Sequence, residues 1–261
     1  MGRFVVFVFG AIVYAGFLGV FIYLAGFMSN FIVPKGIDDG VATGTFNALA
    51  INLGLIAIFA VQHTIMARAG FKQKLKAWVP PSVERSIFVL ATSLVLLLLY
   101  WQWRPMTQII WQADAGWARI TWWMIFCVGL FIVLLSTFLI DHFELFGLRQ
   151  VMRNLSGRAA PHSAFRVRSL YRYVRHPMYL GVLLAFWATP DMTLGHLVFA
   201  AGMTGYLMIG VRFEERDLEV HLGADYRRYK RRVPMIIPSP GKVHEIVEPG
   251  RAIPERQGVK G

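Results

Sequence analysis

A series of long, nearly uncharged apolar stretches constrains this 261-residue chain more than any other feature of its sequence. A helix needs about 20 apolar residues to cross the hydrocarbon core of a bilayer. The first stretch carries no charge, and it is too long, with too little positive charge before it, to be a signal peptide. The sequence therefore predicts membrane spans at Phe4–Phe27, Phe46–Met66, Ser86–Trp103 and Ile120–Ile140.

A fifth apolar region, His176–Val211, is too long for one span, and Thr189-Pro190-Asp191 interrupts it. We interpret it as two short helices joined by a tight turn. Arg212–Arg232 then predicts an amphipathic cytoplasmic helix, followed by a proline-punctuated tail. The predicted fold is an all-α integral membrane protein with five to six crossings. Its parts are the four spans in 1–140, the loop, hairpin and C-terminal helix in 141–235, and a mobile tail, 236–261.

The composition supports a membrane protein. Hydrophobic residues make up 56% and charged residues 16% of the chain, and the mean hydropathy is +0.50. These values exclude a disordered chain, a typical nucleic-acid-binding domain and most soluble enzymes. The predicted crossings place 24 of the 27 Lys and Arg residues on one side of the membrane. The positive-inside rule then predicts that both termini are cytoplasmic.

Several common site types lack their sequence signatures. Cys127 is the sole cysteine, which excludes an intrachain disulfide and a cysteine-based zinc site, and its apolar neighbours predict a lipid- or core-facing side chain. The chain contains no G-x-G-x-x-G, G-x-x-x-x-G-K-[ST], H-E-x-x-H or G-x-S-x-G pattern. Its basic tail lacks the interleaved aromatic residues of single-strand nucleic-acid platforms, so we expect no nucleic-acid partner.

Ionisable side chains from five segments reach one membrane level at the cytoplasmic ends of the predicted spans. Such residues are costly near a bilayer and mark functional sites by default. The sequence therefore predicts one site at the cytoplasmic interface, open to a soluble cofactor and to a membrane-dissolved substrate. The converging residues are His63, Arg85, Asp141, His142, Glu144, Arg175, His176, Glu214 and Glu215.

The same residues also have a purely structural interpretation. Interfacial arginine and histidine often only anchor helices at the lipid headgroups. The Glu214-Glu215 pair would then neutralise Arg212 and Arg216, and the carboxylates after the fourth span would cap a basic loop. His63 would be a neutral histidine bonded to a neighbouring helix.

A motif in the C-terminal half resembles a known cofactor site. Tyr171–Gly181 reads Y-R-Y-V-R-H-P-M-Y-L-G, and Glu214-Glu215, Tyr226-x-x-Tyr229 and Val233-Pro234 follow it. This combination resembles the cofactor-binding region of the isoprenylcysteine carboxyl methyltransferase superfamily. The resemblance implies that S-adenosylmethionine binds on the cytoplasmic side, between the hairpin and the C-terminal segment, and makes 141–235 the cofactor-binding module.

The resemblance implies roles for these residues, and their chemistry fits the cofactor. A carboxylate, Glu214 or Glu215, can accept hydrogen bonds from ribose hydroxyls or the ammonium group. Arg175 can pair with the cofactor's carboxylate, and aromatic faces favour a sulfonium as they favour other cations. Pro177 starts a helix, and Gly181 permits close approach of backbone or ligand. The implied cofactor-binding set is Arg175, His176, Pro177, Tyr179, Gly181, Glu214, Glu215, Tyr226 and Tyr229.

Four stretches in 62–150 resemble the bacterial methanethiol S-methyltransferase family, whose product is dimethyl sulfide. They are Gln62–Arg68, Glu84–Ser86, Trp101–Pro105 and Asp141–Gln150, and with the motif they cover most of 46–235. This resemblance implies methyl transfer to the sulfur of methanethiol by a multi-pass protein of the bacterial inner membrane. The expected partners are a small volatile thiol and the lipid bilayer. No metal is implied, and the sequence leaves the oligomeric state open.

The nucleophile in such a reaction is the thiolate, so something must take the thiol proton or hold the anion. His63 and His142 are candidate bases, with Asp141 or Glu144 orienting the imidazole. Arg85 could stabilise the thiolate. Alternatively, positioning of the two sulfurs provides the rate and no base is needed. A small pocket walled by aromatic residues such as Trp122, Trp123 and Phe143 would suit the acceptor.

Three alternatives follow from the same sequence. One is a methyltransferase that acts on a prenylcysteine-like carboxyl or another amphipathic substrate. Another is a membrane protein of the NnrU type that holds haem through His63 and His142; such proteins share part of the N-terminal pattern but are expected to lack the complete motif. The third is a membrane protein with an assembly role and no chemistry.

Overall fold

The protein is a helical membrane bundle, described by a computed structural model over residues 2–158 and 169–238. Five helices are long and apolar enough to cross a membrane: α1, α2, α4, α5 and α9. The elements are α1 (Arg3–Ser29), α2 (Thr45–Ala67), α3 (Ala69–Lys76), α4 (Glu84–Gln102), β1 (Ile109–Gln112), α5 (Gly116–Ile140), α6 (His142–Leu145), α7 (Leu148–Ser156), a 3₁₀ turn (Ser169–Arg172), α8 (Pro177–Trp187), β2 (Asp191–Thr193) and α9 (Leu194–Arg232).

The four predicted spans correspond to α1, α2, α4 and α5, and the all-α membrane fold is confirmed. The helix predicted over Arg212–Arg232 is present, but it is not a separate element, because α9 continues from the apolar hairpin arm into the charged segment without a break at Val211. Residues 211–222 contain neither Gly nor Pro, so nothing ends the helix there. Non-helical backbone appears at Gly223, whose φ of 58° suits glycine.

The two arms of the hairpin separate at the predicted place, but the chain there forms a short strand, β2, in place of a tight turn. β2 pairs antiparallel with β1, in the register Ile109 opposite Thr193 and Gln112 opposite Asp191. The Thr193 hydroxyl donates to Asp38 Oδ1 at 2.6 Å and accepts from the His196 amide, which caps α9. With 11 residues, α8 is about 16 Å long. Residues 188–190 connect it to β2, which pairs with β1 at the opposite end of the bundle from the start of α8, so the hairpin traverses the bundle.

The bundle has two distinct ends. We call the end formed by the start of α1, the 68–85 connection, residues 141–157 and the second half of α9 the basic end. At the opposite end, Lys35 Nζ donates to the Trp101 and Trp103 carbonyls at 2.6 and 2.9 Å, which satisfies the last turn of α4. Between the ends, large buried side chains such as Phe27, Trp103 and Phe199 form the core.

Helices α5 and α8 pack with their backbones almost touching. A Cβ atom on Gly181 would lie 2.6 Å from the Gly129 carbonyl oxygen, and one on Gly129 would lie 2.7 Å from the Gly181 oxygen. Paired glycines permit this close packing in membrane helices. The sequence predicted that Gly181 permits close approach of backbone or of a ligand, and in the structure it permits close approach of backbone. On the outer surface of α5, Cys127 is exposed, which agrees with the lipid-facing alternative.

Candidate functional site

A buried carboxylate organises the start of α8 at the basic end. Glu215 is 5% exposed, and its Oε1 accepts from Arg175 Nε at 2.7 Å and lies 3.2 Å from His176 Nε2. Lys230 Nζ lies 3.0 Å from Oε2 of the same carboxylate. A carboxylate and its cations are stable in a buried position only when they are paired in this way. The cluster therefore fixes the start of α8 against the second half of α9.

The C-terminal segment is tied to the same motif. Arg175 Nη1 donates to the carbonyls of Lys230 and Val233 at 2.8 and 2.5 Å. The amides of Arg175 and His176 donate to the carbonyls of Pro234 and Met235. Ile236, the first residue of the predicted mobile tail, is 7% exposed. The part of that tail from 239 onward lies outside the described residues.

Glu214, next to the buried carboxylate, has a different environment. Its Oε2 accepts from the Tyr179 hydroxyl at 2.6 Å, and its side chain is 47% exposed. Tyr179 stacks on His176 with ring centroids 5.3 Å apart. Neither carboxylate of the pair is joined to Arg212 or Arg216 by an ion pair in the described chain, in contrast to the structural interpretation of the sequence.

These side chains surround a cavity of about 120 Å³, which we call the smaller cavity. The hydroxyl of Tyr226 is buried there without a hydrogen-bond partner. Burial lowers the pKa of His176 despite the nearby carboxylates, so its imidazole is neutral at pH 7. Of the predicted cofactor-binding set, the cavity wall includes Arg175, His176, Tyr179, Glu214, Tyr226 and Tyr229.

Three predicted cofactor-binding residues lie behind this wall instead. Pro177 is buried in the first turn of α8, where its fixed φ suits a helix start. Gly181 faces α5, and Glu215 spends its oxygens on protein cations. Two of the three guanidinium nitrogens of Arg175 are also engaged with the protein. Pro177, Gly181 and Glu215 therefore position the wall and are not part of its free surface.

A larger cavity of about 520 Å³ adjoins the smaller one. His63 and Arg85 lie on its wall, and both contact the Phe88 ring, at 4.9 Å in each case. The Tyr206 hydroxyl is hydrogen-bonded to His63 Nδ1 at 2.7 Å, and Arg85 Nε donates to the Leu145 carbonyl at 2.6 Å. The aromatic residues on the wall of the larger cavity are Phe17, Phe88, Phe146, Tyr179, Tyr206 and Phe213.

The two cavities share part of their walls. Tyr179 and Glu214, joined by their hydrogen bond, face both of them. The remaining shared residues are Ile140, Met178 and Leu218. Ligands bound in the two cavities would therefore meet at one boundary.

The structure does not bring His142 to the larger cavity, although the sequence predicted it there. Tyr14 bonds its Nε2 at 2.7 Å and Thr137 bonds its Nδ1 at 2.8 Å, so both ring nitrogens are occupied. His63 and His142 lie in different surroundings, which contradicts the predicted haem site between them. In 2–158 and 169–238, no three His, Cys, Asp or Glu side chains gather as metal ligands.

Asp141 and Glu144 do not orient an imidazole as predicted. Asp141 caps α6 by accepting from the Glu144 amide, and it pairs with Arg149 at 2.6 Å. Glu144 pairs with Arg153. Both carboxylates stabilise the connection between α5 and α7, as the structural interpretation of the sequence proposed for them.

The predicted aromatic wall is also wrong. Trp122 and Trp123 lie near the start of α5, at the end of the bundle opposite the cavity, and Trp122 stacks on Trp111. Phe143 lies at the basic end but packs on Tyr14 and His142, outside the cavity wall. An aromatic side chain can line this cavity only at the right depth along its helix, and residue type alone does not give that depth.

Sequence reasoning missed Tyr206 and Lys230. Tyr206 lies eight residues before Glu214 on one continuous helix, which places the two on the same face. That spacing could have identified Tyr206 from the sequence, but the predicted helix boundary at Val211 separated Tyr206 from Glu214. Lys230 gave no such signal, because it is one of several basic residues at the end of α9.

Comparisons with known proteins place this site in a family. The model of the NnrU protein family matches residues 51–238, a range that contains the whole motif. A methanethiol S-methyltransferase of Mycobacterium tuberculosis is 48% identical over 240 residues, covering 92% of this chain and 98% of that protein.

Further relatives show the breadth of the similarity. Methanethiol S-methyltransferase 1 of Bradyrhizobium diazoefficiens is 47% identical over 236 residues, covering 90% of this chain and 83% of the relative. Nurim of Xenopus laevis is 30% identical over 194 residues, covering 71% of this chain and 68% of the relative. No solved structure matches the chain.

Proposed function

This chain belongs to the NnrU family and to the group of methanethiol S-methyltransferases, and we propose that it methylates the sulfur of methanethiol with S-adenosylmethionine. The products are dimethyl sulfide and S-adenosylhomocysteine. The basic end faces the cytoplasm of a bacterial inner membrane, because the side with most Lys and Arg remains cytoplasmic. A soluble methyl donor enters there, while the small apolar thiol reaches the site through lipid or water.

One observation carries the proposal: the two cavities adjoin at the Tyr179–Glu214 hydrogen bond. The smaller cavity, whose wall carries Arg175, His176 and Glu214 among tyrosines, suits the charged part of the methyl donor. The larger cavity has the volume for a thiol and for the remainder of the donor. A reaction between two sulfur atoms needs this adjacency, since positioning the reactants supplies much of the rate.

The residues present fit S-adenosylmethionine. The orphaned hydroxyl of Tyr226 offers a hydrogen bond to a ligand, and the free oxygen of Glu214 accepts from ribose hydroxyls or an ammonium. Tyr179, Tyr226 and His176 contribute aromatic rings to the wall, and aromatic rings attract a cation. When bound, the cofactor supplies an electrophilic methyl group on a sulfonium. The Arg175–Glu215–Lys230 cluster holds the wall in place behind these groups.

The acceptor end needs a group that favours the anionic form of the thiol. Arg85 has this character, because its guanidinium lies against Phe88 on an apolar wall. His63 lies beside the same ring. A cation in a site from which water is excluded stabilises a thiolate far more strongly than it would in water.

The first experiment measures dimethyl sulfide in the headspace above detergent-purified protein given S-adenosylmethionine and methanethiol. A prenylated cysteine analogue is assayed in parallel for carboxyl methylation. Dimethyl sulfide that depends on both substrates is the expected result. Carboxyl methylation without dimethyl sulfide would mean that the acceptor is a prenylcysteine-like carboxyl and not methanethiol, and it would leave the cofactor assignment in place. Failure to bind S-adenosylhomocysteine would contradict both.

The cofactor site has its own test. Glu214→Ala should weaken S-adenosylhomocysteine binding at least about tenfold, because a hydrogen bond to a charged group contributes about 1.5–3 kcal/mol. Asp225→Ala is the matched control, since it removes the same charge from α9 at a position on neither cavity wall. Isothermal titration of both variants with S-adenosylhomocysteine decides the point. Equal affinities would remove Glu214 from the site.

A further inference from the structure

The hydrogen bond between Tyr206 and His63 determines which nitrogen of His63 carries a proton. A neutral imidazole has one N–H donor and one acceptor nitrogen, and the bond at one nitrogen sets the state of the other. A phenol is a much stronger acid than a neutral imidazole N–H, so the 2.7 Å bond has Tyr206 Oη donating to Nδ1. The proton of His63 is then on Nε2.

The second tyrosine–histidine pair of the protein supports this direction. The Thr137 hydroxyl donates to the Leu134 carbonyl at 2.7 Å, so its oxygen accepts from His142 Nδ1. His142 Nε2 is therefore the acceptor nitrogen, and Tyr14 donates to it at 2.7 Å. In that pair the local bonds alone require the tyrosine to donate.

The Nε2–H of His63 has no hydrogen-bond partner among the described residues, and His63 lies on the wall of the larger cavity. The cations on that wall are unequally paired. Arg68 is 3.3 Å from Asp217, whereas no described carboxylate lies within 4.0 Å of Arg85 or Lys72. The other ionisable wall groups are His221 and the bonded Tyr179–Glu214 pair. Donors and unpaired cations therefore face the space beside His63, an arrangement that suits an anion.

We propose that His63, held by Tyr206, is a hydrogen-bond donor to a bound thiolate and not a general base. This inference rests on the proposed function. The thiol loses its proton to water before the reaction, and Arg85 and His63 hold the sulfur anion. The thiolate lone pair forms the new S–CH₃ bond as the methyl carbon's bond to the sulfonium sulfur breaks, leaving that electron pair on the thioether sulfur. Tyr206 is a positioning residue, since it acts through His63.

The test compares His63→Gln with His63→Ala in the full-length purified protein. Glutamine can accept from Tyr206 through its carbonyl oxygen and donate through its amide, but it cannot act as a base. We expect His63→Gln to retain at least about one tenth of kcat/KM and His63→Ala to fall about 100-fold, as for loss of one oxyanion-type donor. S-adenosylhomocysteine affinity should be unchanged in both, which shows that they fold. Equal losses in the two variants would overturn the inference.

The pH profile tests the same point without a mutation. We expect kcat/KM to rise with pH and to level off near the pKa of the thiol itself. The plateau should come at lower pH for 2,2,2-trifluoroethanethiol than for methanethiol, because fluorine makes the thiol more acidic. A plateau at one pH for both thiols would indicate a protein base and overturn the inference alone. Wild-type protein that methylates no thiol would overturn the proposed function as well.

Tyr206→Phe completes the set. It leaves the tautomer of His63 unfixed, so kcat/KM should fall about threefold to tenfold, with affinity for S-adenosylhomocysteine unchanged. Tyr14→Phe breaks the equivalent bond to His142 away from the cavity and should leave kcat/KM and its pH profile unchanged. A Tyr206→Phe variant with the wild-type rate and profile would contradict the positioning role.

Discussion

Around the smaller cavity most polar side chains are held by protein partners, whereas on the larger cavity's wall Arg85 and Lys72 have no carboxylate within 4.0 Å among the described residues. Glu215 binds three cationic or imidazole partners, and Tyr179 and Tyr229 both donate to protein oxygens. In the larger cavity, His63 and Arg85 each use one nitrogen for the protein and present the others to the cavity. The polar groups around the smaller cavity are held in place by pairing, whereas the larger cavity keeps unpaired groups that are available to a reactant.

The two regions also differ in how the chain builds them. The smaller cavity comes mainly from two segments, the motif before and at the start of α8 and the second half of α9. The larger cavity takes residues from α1, α2, α3, α4, α5, α6, α8 and α9. A compact motif can therefore reveal the smaller cavity, whereas a cavity assembled from many helices leaves only scattered polar residues in the sequence.

The largest effect should come from breaking the paired cluster. Glu215→Ala leaves Arg175 buried without its carboxylate, and loss of one partner from a buried ion pair costs about 3–5 kcal/mol. Thermal unfolding in detergent should shift down strongly, and S-adenosylhomocysteine binding should be lost. Lys76→Ala is the control, because the Lys76 side chain is exposed and its contact with Glu84, at 3.7 Å, is too long to contribute much. Equal stability of the two variants would show that the smaller cavity does not depend on paired charge.

A moderate effect should come from moving α8 as a whole. Gly181→Ala adds a methyl group 2.6 Å from the Gly129 oxygen, and overpacking of this kind costs about 1–3 kcal/mol. The same change at Gly205, where a Cβ meets nothing within 4 Å, should be neutral or stabilising. Thermal unfolding of both variants is the measurement. If Gly181→Ala is as stable as Gly205→Ala, the close packing of α5 and α8 is not what fixes the smaller cavity.

The smallest effect is expected at a residue that the sequence assigned to the acceptor wall. Phe143→Leu should change the KM for methanethiol less than twofold, because the ring packs on Tyr14 and His142 outside the larger cavity. An exposed, conservative apolar exchange also changes stability by about 0.5 kcal/mol or less. A large rise in KM would mean that the acceptor binds on the other side of α6.

The sequence was sufficient for the parts of this molecule that depend on local pattern. Hydrophobic length located four spans, and the Arg175–Tyr179 motif with Glu214 located the smaller cavity. It could not distinguish Glu214 from Glu215, because adjacent helix positions point about 100° apart and the packing of α8 decides which one is buried. It also could not exclude His142, since the hydroxyls that occupy its two nitrogens come from α1 and α5.

The ties between Arg175 and the carbonyls of Lys230 and Val233 set an order of events during synthesis. Lys230 and Val233 follow Arg175 by 55 and 58 positions in the chain. A ribosome that adds about 5–20 residues per second needs about 3–11 s to make 55 residues. During that time Arg175 has left the ribosome's active centre before the residues that will satisfy it exist. The four N-terminal spans can insert first, and the nascent protein acquires the smaller cavity only when residues 230–235 have emerged on the same side of the membrane.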